Sequence, residues 1–275
     1  MALGKVIVIA NQKGGVGKTT TAINLSASLA EYGQECLLID LDPQGNTTSG
    51  LGFDKNAIEK SIYHVLIGDT PVSSVILKTK IEKLDIIPSN INLVGAELDL
   101  VGLENRELKL ANILREYEAS YKYIIIDSPP SLGLLTLNAL AAADSLIIPI
   151  QCEYYALEGL SQLLKTVDLV KSNLNPSLAI EGILLTMFDS RLNLSEQVIA
   201  EIKKYFGDKV FQSIVPRSVR LAEAPSFGKP IFQYDKASKG AQVYLDLAVE
   251  IMELNKSWER VLVDNTSQIE QVAVT

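Results

Sequence analysis

Lys13-Gly-Gly-Val-Gly-Lys-Thr-Thr20 follows directly on the apolar run Val6 to Ala10, so a glycine-rich turn carries two lysines and a hydroxyl into the start of a helix. Gly14, Gly15 and Gly17 let the backbone approach an anion with no Cβ in the way, and the helix that follows adds unsatisfied N–H groups and a positive dipole end. The stretch from Lys13 through Val16 to Thr20 is a phosphate cradle. Within it, Lys18 is placed to neutralise β- and γ-phosphates, and the Thr19 hydroxyl to ligate Mg²⁺. The ordinary pattern G-x-x-x-x-G-K-[ST] asks for glycine at position 12. Here that position is Gln12, and an additional lysine, Lys13, stands at the rim of the loop.

Working outward, short continuous apolar runs recur: Val6 to Ala10, Leu37 to Ile39, Leu84 to Ile87, Tyr123 to Ile126, Leu146 to Ile150, Ile180 to Leu185 and Val210 to Val215. They do not alternate with polar residues, as expected of strands covered by helices on both faces of a parallel sheet. Helical spacing fills the intervals: Thr19 to Tyr32, closed by Gly33; Leu160, Leu163, Leu164, Val167 and Val170; Val198, Ile199, Ile202, Tyr205 and Phe206; Val243, Tyr244, Leu247, Ala248 and Ile251. The alternation predicts a doubly wound α/β fold, a mostly parallel sheet with helices on both faces, binding ligands at the carboxyl ends of its strands. With no repeat and no break in composition, residues 1–254 read as a single domain. Residues 255–275 read as a helical extension, through Trp258, Val261 and Leu262, ending in a frayed tail.

Two more strand ends carry carboxylates. Leu37-Leu-Ile-Asp40-Leu-Asp42-Pro-Gln-Gly-Asn46 puts Asp40 and Asp42 just before a tight turn, where a carboxylate can orient a water in line with a γ-phosphate. Ile124-Ile-Ile-Asp127-Ser-Pro-Pro130 is a buried strand with one carboxylate at its end, suited to Mg²⁺, and Pro129 and Pro130 stiffen a loop able to sense the γ-phosphate.

Composition narrows the function. At 275 residues and 47% hydrophobic, the chain can bury one sizeable core. Cys36 and Cys152 sit in apolar runs and read as buried small hydrophobes of a reduced cytoplasm. His64 is the only histidine, lies between apolar neighbours and reads as structural. The N-terminus runs straight into the first strand, leaving no room for a cleavable leader. The most membrane-like window, Leu132 to Ile150, is broken by Asn138, Asp144 and Pro149 and reads as a helix followed by a strand. Net charge is −8, yet residues 189–240 hold nine Lys/Arg against six Asp/Glu. Basic character is therefore confined to the C-terminal third.

The lysine at 13 and the D-x-D-P-Q-G-N motif resemble the deviant Walker ATPases of the MinD/ParA family. Gln151-Cys-Glu-Tyr-Tyr-Ala-Leu-Glu-Gly159, the run Val215 to Pro230 and Ala241-Gln-Val-Tyr244 make it similar to small chromosomal partition ATPases of the ParA/Soj type, over Gly4 to Leu254. That resemblance implies an ATP- and Mg²⁺-dependent ATPase, weak alone, in which Lys13 acts in trans across a homodimer holding ATP. It implies that Asp42 orients water, that Asp40 helps hold the Mg²⁺ shell or the switch loop, and that Asp127 binds Mg²⁺ through water. Glu153 would contact a ribose across the interface, and Met187 and Pro216 the adenine. It further implies that Arg191 and Arg220 bind double-stranded DNA without sequence preference, that a ParB-type centromere-binding protein stimulates hydrolysis, and that the protein is cytoplasmic and nucleoid-associated. A MinD-like membrane-cycling ATPase is the alternative. It needs a basic amphipathic tail, whereas residues 250–275 hold five acidic and two basic residues. A redox protein like the nitrogenase iron protein needs paired interface cysteines, and a ligase of the same fold needs a second substrate constellation that the chain does not display.

Overall fold

The computed structural model describes residues 4–115, 120–153 and 156–272, with the side chains of 156–158 and 257–272 excepted. Eight strands form one sheet: β1 (Lys5–Ile9), β2 (Cys36–Asp40), β3 (Leu77–Lys78), β4 (Leu84–Ile87), β5 (Tyr123–Asp127), β6 (Ser145–Gln151), β7 (Ala179–Phe188) and β8 (Val210–Pro216). Their order is β3-β4-β2-β5-β1-β6-β7-β8. Every pairing is parallel except that of β3, a two-residue antiparallel edge on β4 that the apolar runs did not signal. The helices are α1 (Lys18–Glu31), α2 (Asn46–Gly50), α3 (Ile62–Leu66), α4 (Leu93–Val101), α5 (Lys109–Leu114), α6 (Leu134–Ala142), α7 (Ala156–Asn173), α8 (Asn193–Phe206), α9 (Val219–Glu223), α10 (Ile231–Tyr234) and α11 (Lys239–Val272).

Successive side chains of β1 feed opposite cores, because strand side chains alternate across the sheet. Val6 and Val8 face a core built with α3 to α8. Ile7 and Ile9 face one built with α1 and α9 to α11. This two-sided burial is why the strands read as unbroken apolar runs. On the second face α1 lies under α11, where the Thr21 and Tyr244 hydroxyls meet at 3.2 Å. Gly33 closes α1 as expected: its φ is +80°, and the N–H of Gln34 reaches back to the Leu29 carbonyl at 3.1 Å.

Three sequence expectations are adjusted. Tyr205, assigned to the apolar stripe of α8, is 67% exposed. Helices α2 to α5 were not anticipated, since each is short and their segment is dense in glycine, proline and asparagine. The helix of the C-terminal segment runs to Val272, while Trp258, Val261 and Leu262 have side chains outside the described set, as do Tyr154 and Tyr155 entirely. At Asn255 the helix is pinned to the sheet. Lys5 Nζ donates to Glu181 Oε2 at 2.7 Å and to Asn255 Oδ1, and Asn255 Nδ2 donates to Glu181 Oε1 at 3.0 Å. His64 accepts the Ser61 N–H at 3.2 Å in a capping box at the start of α3, a structural role. Both cysteines are buried.

Candidate nucleotide site

β1, β2 and β5 run side by side, so their carboxyl ends bring the glycine loop, Asp40 with Asp42, and Asp127 to one edge of the sheet. The loop turns into α1 through Gly15 and Gly17, at φ +74° and +92°. These are left-handed conformations that a side chain resists. Its backbone is tied to neighbouring segments: the Lys13 N–H donates to Asn11 Oδ1 at 3.0 Å, Asn11 Nδ2 in turn donates to the Pro149 carbonyl at 2.7 Å, and Thr186 Oγ1 donates to the Val16 carbonyl at 2.9 Å.

The two lysines of the loop diverge. Lys18 is buried, its ammonium donating to the Lys13 carbonyl at 3.1 Å, and it lies in the field of Asp127 and Asp42. Burial lowers its pKa, and the two carboxylates oppose that shift. Lys13 instead points outward, half-exposed, with its ammonium 3.5 Å from Glu153 Oε2. Glu153 also accepts from Gln151 Nε2 at 2.5 Å and from Arg217 at 3.5 Å.

Asp127 and Asp40 are completely buried and are used differently. Asp127 Oδ2 accepts from Thr19 Oγ1 at 2.8 Å and Thr47 Oγ1 at 2.6 Å, while Oδ1 is buried without a hydrogen-bond partner. Burial raises its pKa to about 6, against the two hydroxyl bonds and Lys18. Asp40 Oδ2 accepts from the Thr48 N–H at 2.8 Å and hydroxyl at 2.7 Å, and Oδ1 from the Asp42 N–H at 3.2 Å. Burial and then Asp127 raise it to about 7. Asp40 thereby clamps the loop that carries Asp42, whose own Oδ1 accepts the Gln44 N–H at 2.9 Å.

Between these groups lies a cleft of about 390 Å³, lined by Gly14, Gly15, Gly17, Lys18, Thr19, Thr20, Asp42 and Pro130 among others. Beside it, sharing Gly17, Thr20 and Met187, is an apolar pocket of about 380 Å³ walled by Val215, Pro216 and Tyr244. A polar cleft lined by glycine backbone, Lys18 and two hydroxyls, joined to an apolar slot, suits a nucleotide triphosphate and its base. Met187, at φ +53°, is held in the left-handed region at this junction.

The residues fit Mg²⁺ on their chemistry. An unpartnered carboxylate oxygen, buried beside a helix-start hydroxyl and raised in pKa by burial, is a donor set that a hard cation takes.

The structure brings Lys13, Lys18, Thr19, Asp40, Asp42, Asp127, Glu153, Met187 and Pro216 to one edge. Arg191 and Arg220 lie outside the lining of both pockets. Arg191 is bound by both oxygens of Asp189, at 2.8 and 2.6 Å, and Arg220 pairs with Glu223 at 3.2 Å and Asp235 at 3.6 Å. A further cleft joins Arg191 to Arg217 and Lys239. Sequence reading missed Thr47 and Thr48, whose signal was their place directly after the Pro-Gln-Gly-Asn turn. It also missed Arg217 as a partner of Glu153, for which sequence carries no signal because the two are joined only by the fold.

The family model for an AAA domain matches residues 4–180. Over 249 residues the chain is 59% identical to the sporulation initiation inhibitor protein Soj of Bacillus subtilis, spanning 90% of this chain and 98% of that protein. It is likewise 59% identical over 250 residues to the chromosome partitioning protein ParA of Myxococcus xanthus, spanning 91% and 88%. Among solved structures, a cobyrinic acid a,c-diamide synthase from Mycobacterium smegmatis, with bound ATP analog and magnesium, superposes with TM-score 0.83 at 38% identity, over 93% of this chain and 97% of that one. The septum site-determining protein MinD of Pyrococcus horikoshii, complexed with Mg-ADP, gives 0.75 at 26%, over 92% and 98%.

Proposed function

This chain belongs to the ParA/Soj family of P-loop ATPases, and from that premise we propose that it is a chromosome-partitioning switch, a homodimer when it holds ATP and a single chain otherwise. It is an ATPase whose nucleotide is ATP with Mg²⁺. Residues 1–254 act as the ATPase domain, and residues 255–275 extend its last helix.

The observation that carries the reading is the divergence of the two loop lysines. Lys18 serves the phosphates of its own loop. Lys13, pointed outward and held loosely by Glu153, is available to a γ-phosphate in a second copy. Thr19 and Asp127 would hold Mg²⁺, which supplies charge neutralisation at the β- and γ-phosphates. Asp42, kept in place by the Asp40 clamp, orients the attacking water. Met187 and Pro216 enclose the adenine, and Glu153, released by Lys13, turns to a ribose of the partner.

Arg191 and Arg220 then meet DNA. A few cations facing phosphates give sequence-independent, salt-sensitive affinity, and dimerisation doubles their number. A ParB-type protein accelerates hydrolysis and returns the chain to the single state, so the protein cycles between nucleoid and cytoplasm. The MinD-like alternative is disfavoured by the acidic balance of residues 250–275. Among the described residues no helix is long and apolar enough to cross a membrane.

The test is filter retention of non-specific duplex DNA with ATP. Lys13→Ala abolishes retention, whereas Asp42→Ala remains on DNA because its ATP is not hydrolysed. Retention by both variants, or by neither, sinks the mechanism.

A further inference from the structure

Helix α4 buries Leu93, Ala96 and Leu100 in the core it shares with α3 but turns a second apolar stripe outward. Val94, Leu98 and Val101 are 58–79% exposed and recur at spacings of four and three, one face of the helix, and Ile91, in the turn before it, is 71% exposed. A contiguous stripe of large aliphatics differs from scattered surface leucines, and on a folded protein such a patch marks an interaction site. Its charge is one-sided. Glu97, Asp99 and Glu104 flank the stripe, residues 91–105 contain no Lys or Arg, and Arg106 is paired to Glu107 at 2.9 Å.

Two short routes join α4 to the nucleotide site. The Ser89 N–H, just before the helix, donates to Thr48 Oγ1 at 2.9 Å, and Thr48 donates to Asp40. On its other side, Glu97 packs against Gly133, where a Cβ would lie 2.2 Å from Glu97 Oε1. Gly133 ends the proline loop after β5, and in that loop Pro130 faces Gly14 of the phosphate cradle. Something seated on α4 is therefore linked, through Ser89 and Glu97, to the Asp40–Thr48 loop and to the proline loop after β5.

We infer that the outer face of α4 is the docking surface for a short, basic amphipathic segment of the ParB-type partner. This rests on the partner reading given above. Charge decides the occupant: two copies of α4 brought together would oppose acidic flanks, whereas a segment with leucine-like side chains on one face and Lys/Arg on its edges complements both features. Docking acts on hydrolysis through Thr48–Asp40 and Glu97–Gly133, without a partner residue entering the site.

The experiment measures ATP hydrolysis with DNA and full-length ParB-type partner, for wild type, Leu98→Asp, Val94→Ser and Glu104→Lys. Sedimentation with ATP is run in parallel. None of these side chains is buried or in the nucleotide site, so basal hydrolysis and the ATP-dependent dimer stay at wild-type level. The expected result is at least a ten-fold rise in the partner concentration needed for half-maximal stimulation with Leu98→Asp, and smaller rises with the other two. Undiminished stimulation of all three variants overturns the α4 surface while leaving the partner reading intact. Loss of the ATP-dependent dimer in Leu98→Asp assigns the face to a second copy and overturns the proposed occupant. A wild-type chain that the partner does not stimulate at all overturns the partner reading itself, and the occupant with it.

Discussion

Asp127→Asn should make the nucleotide-free protein more stable while removing its response to Mg²⁺ and ATP. Asp127 is fully buried, and its pKa is raised from 3.8 to about 6, first by burial. A group with a raised folded pKa contributes its stability below the unfolded value, and that stability is lost as pH rises through the folded value. At pH 8 both states are ionised and the folded chain bears the whole difference. Two pK units at about 1.36 kcal/mol each give roughly 3 kcal/mol. Asparagine keeps an oxygen for the Thr19 and Thr47 hydroxyls. Its NH₂ takes the position of Oδ1, which already has no partner, so one unsatisfied atom replaces another. Removing the charge also relieves Asp40, which Asp127 pushes upward. At roughly 2–4 °C per kcal/mol for a chain near this size, Tm at pH 8 rises by about 6–12 °C. The gain shrinks as pH falls below about 6 and is gone near pH 4. Differential scanning calorimetry in EDTA, at pH 8, 6 and 4.5, reads it directly, and a second series with MgATP should shift wild type upward and leave the variant unmoved. A variant that melts at or below wild type at pH 8, or whose advantage grows towards acid pH, refutes the electrostatic argument.

Other outcomes follow from the same geometry. Asp189→Asn should strengthen ATP-dependent DNA retention, because it removes the carboxylate that both neutralises Arg191 and repels a phosphate there; unchanged retention would mean that Arg191 does not face DNA. Glu181→Gln removes the carboxylate that the buried Lys5 ammonium meets at 2.7 Å, and a hydrogen bond to a charged group contributes about 1.5–3 kcal/mol. Chemical denaturation should show that loss, and a change below about 1 kcal/mol would show that the pair does not anchor α11. Gly17→Ala forces a side chain into φ +92°, at about 1–2 kcal/mol, and should abolish binding of a fluorescent ATP analogue while the circular dichroism of the fold persists.

Most of the candidate site was legible because each part sits at a strand's carboxyl end within a contiguous motif. Residues 13–20, Asp42 and Asp127 could be placed from apolar runs and the turns that end them. What sequence hid was the wiring between motifs. That Asp40 is taken up by Thr48 and the Asp42 N–H, that Lys13 rests on Glu153, and that Arg191 is neutralised by Asp189 are facts of side-chain geometry. Only the second joins segments far apart in the chain. The segment from Asn46 to Leu114 read poorly because its helices are five to nine residues long, too short for periodicity to stand out. The same brevity concealed the outward stripe of α4, since apolar residues on both sides of a short helix look, in sequence, like a buried one.

The account stands on Lys13 acting in a second copy, and sedimentation equilibrium of the Asp42→Ala chain with MgATP tests this most directly. The expected species has twice the mass of the 30.0 kDa chain, and adding Lys13→Ala to the same background returns it to a single chain that still binds ATP. A single chain in saturating MgATP, or a dimer indifferent to Lys13, contradicts it.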